Sequence, residues 1–276
     1  MDSYTPITLP YFAPDHLLPA PLPTLNQVLS STDYVVAPPG RFSKQFAVVR
    51  VGSHFLAKYG PDVHRLEGEN MIFVSQQTRV PVPRVYAIYG YAGDATMIIM
   101  EYIEGVTLHN CLETLGPEEL KYIGKKLRAQ LNELRQIPAP DYYGALGRRP
   151  IIDFYKCRHH RPVFTHGDIH QMNVIVRPDG TPVLIDYESS GFYPAYRESL
   201  VASSIDRYLD FLDEKFMDEA HILSEALKAW TRARNEENCD HDCNHDCDHD
   251  FDHDLDYDYA RSAAFQKSSG SPFMFT

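Results

Sequence analysis

Few features of this 276-residue chain suit an oxidising compartment, a membrane or a nucleic acid. Its five cysteines (111, 157, 239, 243 and 247) are odd in number, with three close together near the C-terminal side, so they do not read as a disulfide framework. No apolar run approaches the length of a membrane span, and the first residues hold no basic stretch followed by an apolar core. A basic surplus is missing too: net charge is −12, but eleven Asp and Glu and no Lys or Arg lie between Asn235 and Tyr259, so the rest is nearly neutral. These absences predict a soluble, cytoplasmic protein with no membrane and no nucleic-acid partner; they leave the oligomeric state open. Glycine-rich phosphate loops of the form G-x-G-x-x-G are also lacking, and only the turn over 38–44, with Ser43, offers backbone N–H groups for such a task.

At 43% hydrophobic, the chain has the material for a substantial core, and its most informative stretch is His166-Gly167-Asp168-Ile169-His170-Gln171-Met172-Asn173. Ten residues after Val176, the apolar run Val183-Leu184-Ile185 ends in Asp186. Phosphoryl transfer from a nucleotide needs a group to orient a hydroxyl and take its proton, together with hard oxygen ligands for Mg²⁺. Asp168 suits the first task, Asn173 and Asp186 suit the second, and His166 braces the loop. Val174-Ile175-Val176 and Val183-Leu184-Ile185 flank a Pro-Asp-Gly turn, which predicts a hairpin carrying Asn173 and Asp186 to one end.

The segments HGDIHQMN and LIDYESSGFYP resemble the aminoglycoside phosphotransferase and choline kinase superfamily. Protein kinases usually have Arg after the loop His and D-F-G at the metal site, whereas this chain has Gly167 and Asp186-Tyr187-Glu188, which favours the small-molecule branch. The similarity runs from about Val48 to about Ser204. It implies an α+β, two-lobed protein-kinase-like fold with a small antiparallel-sheet N-lobe and a mainly helical C-lobe. It also implies ATP and Mg²⁺ as cofactors and a small-molecule hydroxyl as acceptor.

The runs 34–36, 46–51 and 54–59 read as strands of a small antiparallel sheet. Lys58 lies near the end of the third, where such a lobe keeps a lysine for the α/β-phosphates, braced by a carboxylate from the next helix. The family pattern favours Glu69 as that brace, and Glu67 remains an alternative. Val80-Pro81-Val82-Pro83-Arg84-Val85 resembles the family's entry to the next strand. By resemblance, backbone groups from Glu101 to Ile103, at the end of the strand beginning near Thr96, meet adenine.

Further on, Gly116-Pro117-Glu118-Glu119 opens a helix whose Leu120, Ile123, Leu127, Leu131 and Leu134 form one apolar stripe. The approach to the loop, 150–165, is shorter than in relatives and bears on the acceptor site. Glu198 to about Arg234 reads as helix. Glu188 reads as a solvated or structural carboxylate before a contact for a cationic substrate. A four-residue Cys/Asp/His repeat over 239–254 reads as a disordered, expanded tract before a metal chelator.

The predicted organisation is a Pro-rich arm (1–30), a nucleotide-binding N-lobe (31–105), a C-lobe with the loop and metal site (106–234) and an acidic tail (235–276). The expected function is ATP- and Mg²⁺-dependent phosphorylation of a small-molecule hydroxyl. The alternative is a catalytically impaired nucleotide-binding pseudo-kinase that acts through a protein partner.

Overall fold

Alternation along the strands organises the N-terminal half. In the computed structural model, which describes residues 4–37, 45–149 and 161–212, a six-stranded antiparallel sheet runs in the order β1-β5-β6-β4-β3-β2. Its strands are β1 (Tyr11–Phe12), β2 (Tyr34–Val36), β3 (Ala47–Val51), β4 (Phe55–Gly60), β5 (Val85–Ala92) and β6 (Ala95–Glu101). Successive strand residues point to opposite faces. Accordingly Val48, Ile88, Ile98 and Met100 enter the larger core, while Val49, Ala57, Ala87, Met97 and Ile99 form a second cluster on the other face.

That second face is what the Pro-rich arm packs against. Within 1–30, β1 pairs with β5, and Leu18, Ala20, Leu22 and Leu25 pack on the second cluster, in which Ala13 and Val28 are buried. The short helix α1 (Leu25–Leu29) is held by a capping box between Thr24 and Gln27. An apolar outer face needs a cover, and an extended proline-rich chain supplies one without helical periodicity.

On the inner face lies α2 (Arg65–Gln77), buried continuously from Glu67 to Val74. The chain then leaves the sheet through β7 (Val106–Thr107) and α3 (Leu108–Cys111) to α4 (Pro117–Leu134). Pro117 occupies the first turn of α4, and the Gly116 N–H donates to the Glu119 carboxylate at 2.7 Å. Ile123, Leu127, Leu131 and Leu134 are buried as the stripe predicts. Gly105 lies so close to the Val176 carbonyl that a side chain would collide with it, which permits the chain to cross from the sheet to the second unit.

The remaining strands are β8 (Pro162–Thr165), β9 (Val174–Val176), β10 (Pro182–Leu184) and β11 (Gly191–Pro194), followed by α5 (Arg197–Leu209). The predicted hairpin forms, with Leu184 opposite Val174. The result is an α+β, kinase-like fold with an antiparallel sheet on one side and helices with small sheets on the other. The turn over 38–44, the segment 150–160, the predicted helix beyond residue 212 and the acidic repeat lie outside the described residues.

Candidate active site

Two strand pairings bring the site together. β8 pairs with β11, placing Thr165 opposite Gly191, and β9 pairs with β10. The loop 166–173 therefore runs from β8 to β9 while the turn 185–190 runs from β10 to β11, and the two segments are joined at both ends. Between them, the Ile185 N–H donates to the Asn173 carbonyl at 3.0 Å, and the Ser190 hydroxyl donates to the His166 carbonyl at 2.8 Å. Gly167 has a φ of +82° and backs onto the Ser189 carbonyl, a position with neither room nor backbone freedom for a side chain.

His166 is completely buried. Its Nδ1 accepts the Asp168 N–H at 3.3 Å, and its Nε2 lies 3.0 Å from the Ile185 carbonyl, which assigns the proton to Nε2. Burial holds its pKa below the ordinary value, in keeping with a neutral ring that braces the loop. The Asn173 amide nitrogen donates to the Asp168 carboxylate at 2.9 Å and to the Asp168 carbonyl at 3.0 Å, so the amide oxygen is the end left to act as a ligand. His170 Nε2 lies 3.6 Å from the same carboxylate. Burial acts to raise the pKa of Asp168, but His170, His166 and Asn173 outweigh it and hold the group below the usual carboxylate range. Its side chain nevertheless keeps 36% of its surface exposed.

Lys58 is buried, with Nζ 2.6 Å from Glu67, 3.1 Å from Asp186 and 3.8 Å from Glu188. Burial opposes its charge, but the three acids together raise its pKa above the ordinary lysine value. Burial in turn pushes the Glu67 carboxyl upward, and Lys58 pulls it back. The expected brace, Glu69, is therefore replaced by Glu67. Glu69 faces away from Lys58 and is held by Arg65, Arg149 and Tyr4. Two residues on a helix are about 200° apart around its axis, so only one of these acids can face the lysine.

Glu188 is likewise drawn toward Lys58. Oxygen atoms of Glu67, Asp186 and Glu188 lie within 4.8 Å of one another, a cluster of the hard donors that divalent cations prefer, here gathered around the Lys58 ammonium. Asp186 itself adopts the left-handed conformation (φ 64°, ψ 66°), which a short polar side chain tolerates better than most and which starts the turn that aims its carboxylate at Lys58.

At the sheet's far end, Glu101 is only partly a backbone element. Its N–H donates to the Arg84 carbonyl, its carboxylate accepts the Arg84 N–H at 3.2 Å, and its other oxygen lies 3.7 Å from Arg177. The Tyr102 N–H donates to the His54 carbonyl, whereas the buried Ile103 N–H has no backbone acceptor among the described residues.

Two buried residues escape sequence reasoning. Glu198, in the first turn of α5, accepts the N–H groups of His166 at 2.9 Å and Gly167 at 3.1 Å, and so fixes the start of the loop. Burial raises its pKa, against these bonds and the charges of Arg135 and Arg197. Asn70, on α2, donates to the carbonyls of Tyr187 at 2.7 Å and Ser190 at 3.2 Å, tying the helix to the turn. An acid at a helix start also reads as a dipole partner, which hid Glu198; an Asn inside an otherwise buried helix was the available signal for Asn70.

A kinase-like fold that brings these residues together defines a class, and comparison with known proteins narrows it. The profile of the phosphotransferase enzyme family matches residues 145–234, which hold the loop and the turn just described. The structure is similar to a thermostable mutant of aminoglycoside phosphotransferase APH(4)-Ia in its apo form, at 15% identity and a TM-score of 0.53, covering 89% of this chain and 98% of that one. Another variant of that enzyme, in ternary complex with AMP-PNP and hygromycin B, matches at 14% identity and a TM-score of 0.52, covering 89% and 97%. The streptomycin–ATP ternary complex of APH(2")-IIa matches at 14% identity and a TM-score of 0.51, covering 71% and 83%. No curated protein sequence matches. The chain thus resembles the aminoglycoside phosphotransferases in fold, and over residues 145–234, a third of its length, it resembles the phosphotransferase enzyme family in sequence.

Proposed function

We propose that this protein transfers the γ-phosphoryl group of ATP to a hydroxyl of a small molecule, with Mg²⁺, in the cytoplasm. The observation that carries the reading is the convergence of Lys58, Asp186, Asn173 and Asp168 from three separate parts of the chain: β4, the loop 166–173 and the turn 185–190. Lys58 lies 3.1 Å from Asp186 and Asn173 lies 2.9 Å from Asp168, and the Ile185 N–H bond to the Asn173 carbonyl joins the two pairs. Residues 31–105 form the nucleotide-binding unit in this reading and 106–234 the catalytic one.

Lys58, braced by Glu67, holds the α/β-phosphates, and the backbone from Glu101 to Ile103 meets adenine. Asp186 and Asn173, with the oxygen atoms of Glu188 nearby, hold the metal, which when bound neutralises charge on the phosphate oxygens. Asp168 orients the acceptor hydroxyl and takes its proton as the new O–P bond forms and the bond between the γ-phosphorus and the bridging oxygen of ADP breaks. His166 and Glu198 keep the loop in place. Positioning and charge supply most of such a reaction, and each residue here is fixed by hydrogen bonds or ion pairs.

Titration with a non-hydrolysable ATP analogue tests the nucleotide half. Binding is expected to depend on Mg²⁺ in the wild type and to lose that dependence in Asp186→Ala; Mg²⁺-independent binding of equal strength in both would refute the metal role. Nucleotide binding without transfer to any hydroxyl compound is the outcome that favours a pseudo-kinase working through a partner.

A further inference from the structure

The Lys58–Glu67 pair accounts for one face of α2; the opposite face carries a second ion-pair system, built on a buried acid, that phosphoryl transfer does not use. Glu69 is completely buried. Its carboxylate receives the Arg149 guanidinium and, at 2.8 Å, the hydroxyl of Tyr4, while Arg65 lies 3.3 Å from the other oxygen. Tyr4 belongs to the N-terminal arm, and its ring meets Phe73 of the same helix edge-on at 6.1 Å and packs on Gly147. Arg149 lies beyond α4. Three separate stretches of chain therefore meet at one acid on the back of α2.

Ion pairs on one side of a helix restrain its position but leave it free to roll. Glu67 and Glu69 are two residues apart and point in nearly opposite directions, so restraints at both fix the rotation about the helix axis. Since Glu67 is the acid closest to Lys58, that rotation determines where the lysine's ammonium group lies.

We propose that Tyr4 and Arg149 are positioning residues for the Lys58 site: by holding Glu69 they set the roll of α2 and thereby keep Glu67 on the lysine. The inference rests on Lys58 being the phosphate grip. It assigns the N-terminal arm a part in nucleotide affinity as well as in covering the sheet. Burial and the bond to Glu69 push the Tyr4 hydroxyl up to about 12, so it stays a donor at any physiological pH.

The test is a double-mutant cycle on the full chain, read by the dissociation constant of Mg²⁺ with a non-hydrolysable ATP analogue. Arg149→Met is expected to weaken binding about tenfold and Tyr4→Phe about threefold. Each loss should shrink below about twofold when Glu67→Gln is already present, because nothing then remains for the helix roll to position. Losses of the same size in both backgrounds would overturn the proposal, since they would mean that the back of α2 acts independently of the lysine. Tyr4→Phe removes a single hydroxyl and serves if Arg149→Met does not fold. If the wild type binds no nucleotide, the phosphate-grip reading is what fails. The clamp is then read from amide hydrogen exchange over 65–77: faster exchange in Tyr4→Phe supports it, and unchanged exchange overturns it.

Discussion

Lys58 and Asp168 lie at two ends of one chain of contacts, through Asp186 and Asn173, and are treated in opposite ways. Around Lys58 the structure is closed, with three carboxylates converging on a buried ammonium. Around Asp168 it is open: one oxygen of the carboxylate is engaged by Asn173, and 36% of the side chain remains exposed. The contrast matches two different tasks. A group that holds a ligand common to every turnover gains from being fixed before the ligand arrives, whereas a group that meets a variable acceptor must stay reachable. In the proposed reaction, the closed end should govern nucleotide affinity and the open end turnover.

The largest separation of the two ends is expected from Asp168→Ala, which should lower turnover about 10²- to 10⁴-fold and leave nucleotide affinity nearly unchanged. Steady-state kinetics beside a binding titration would show the split; turnover that survives the substitution would remove Asp168 from the role of base. At the closed end, Glu67→Gln should weaken nucleotide binding roughly tenfold, since it breaks a buried pair. Glu188→Gln, whose carboxylate is farther from Lys58 and more exposed, should cost about threefold or less. A reversed order would mean that Glu188, not Glu67, braces the lysine.

The smallest effect concerns His166, whose pKa is lowered in the folded state by burial. A base with a depressed folded pKa adds stability above its unfolded value, about 6.5, and loses it as pH falls below that value. Folding stability of the wild type should therefore fall more steeply with acid than that of His166→Asn, by at most one proton's slope, about 1.4 kcal/mol per pH unit. Denaturant curves at several pH values would measure it, and parallel slopes would contradict a buried neutral ring.

The open loop and the hairpin beside it were legible because they depend on local signals: a Pro-Asp-Gly turn, two short β-branched runs, and polar residues at fixed offsets. The choice between Glu67 and Glu69 was not. Residues 67–74 are all buried, so α2 has no solvent face from which to judge which acid points where. The packing of the N-terminal arm was not legible either, for a related reason. Periodicity finds segments that bury one face of a regular element, and this one covers a sheet with scattered leucines and alanines between prolines. Both points fall where long-range packing decides the outcome, at a fully buried helix and on an apolar sheet face that another segment covers.

The most direct test of the account is to incubate the full chain with ATP labelled at the γ-phosphate, Mg²⁺ and a panel of hydroxyl compounds, with amino sugars and amino alcohols among them, and to look for label in the small-molecule fraction. A labelled phosphate ester is expected with at least one compound, formed only when Mg²⁺ is present and depleted in Asp168→Ala. Firm nucleotide binding with no labelled ester from any compound in the panel or in a whole-cell metabolite extract would contradict it.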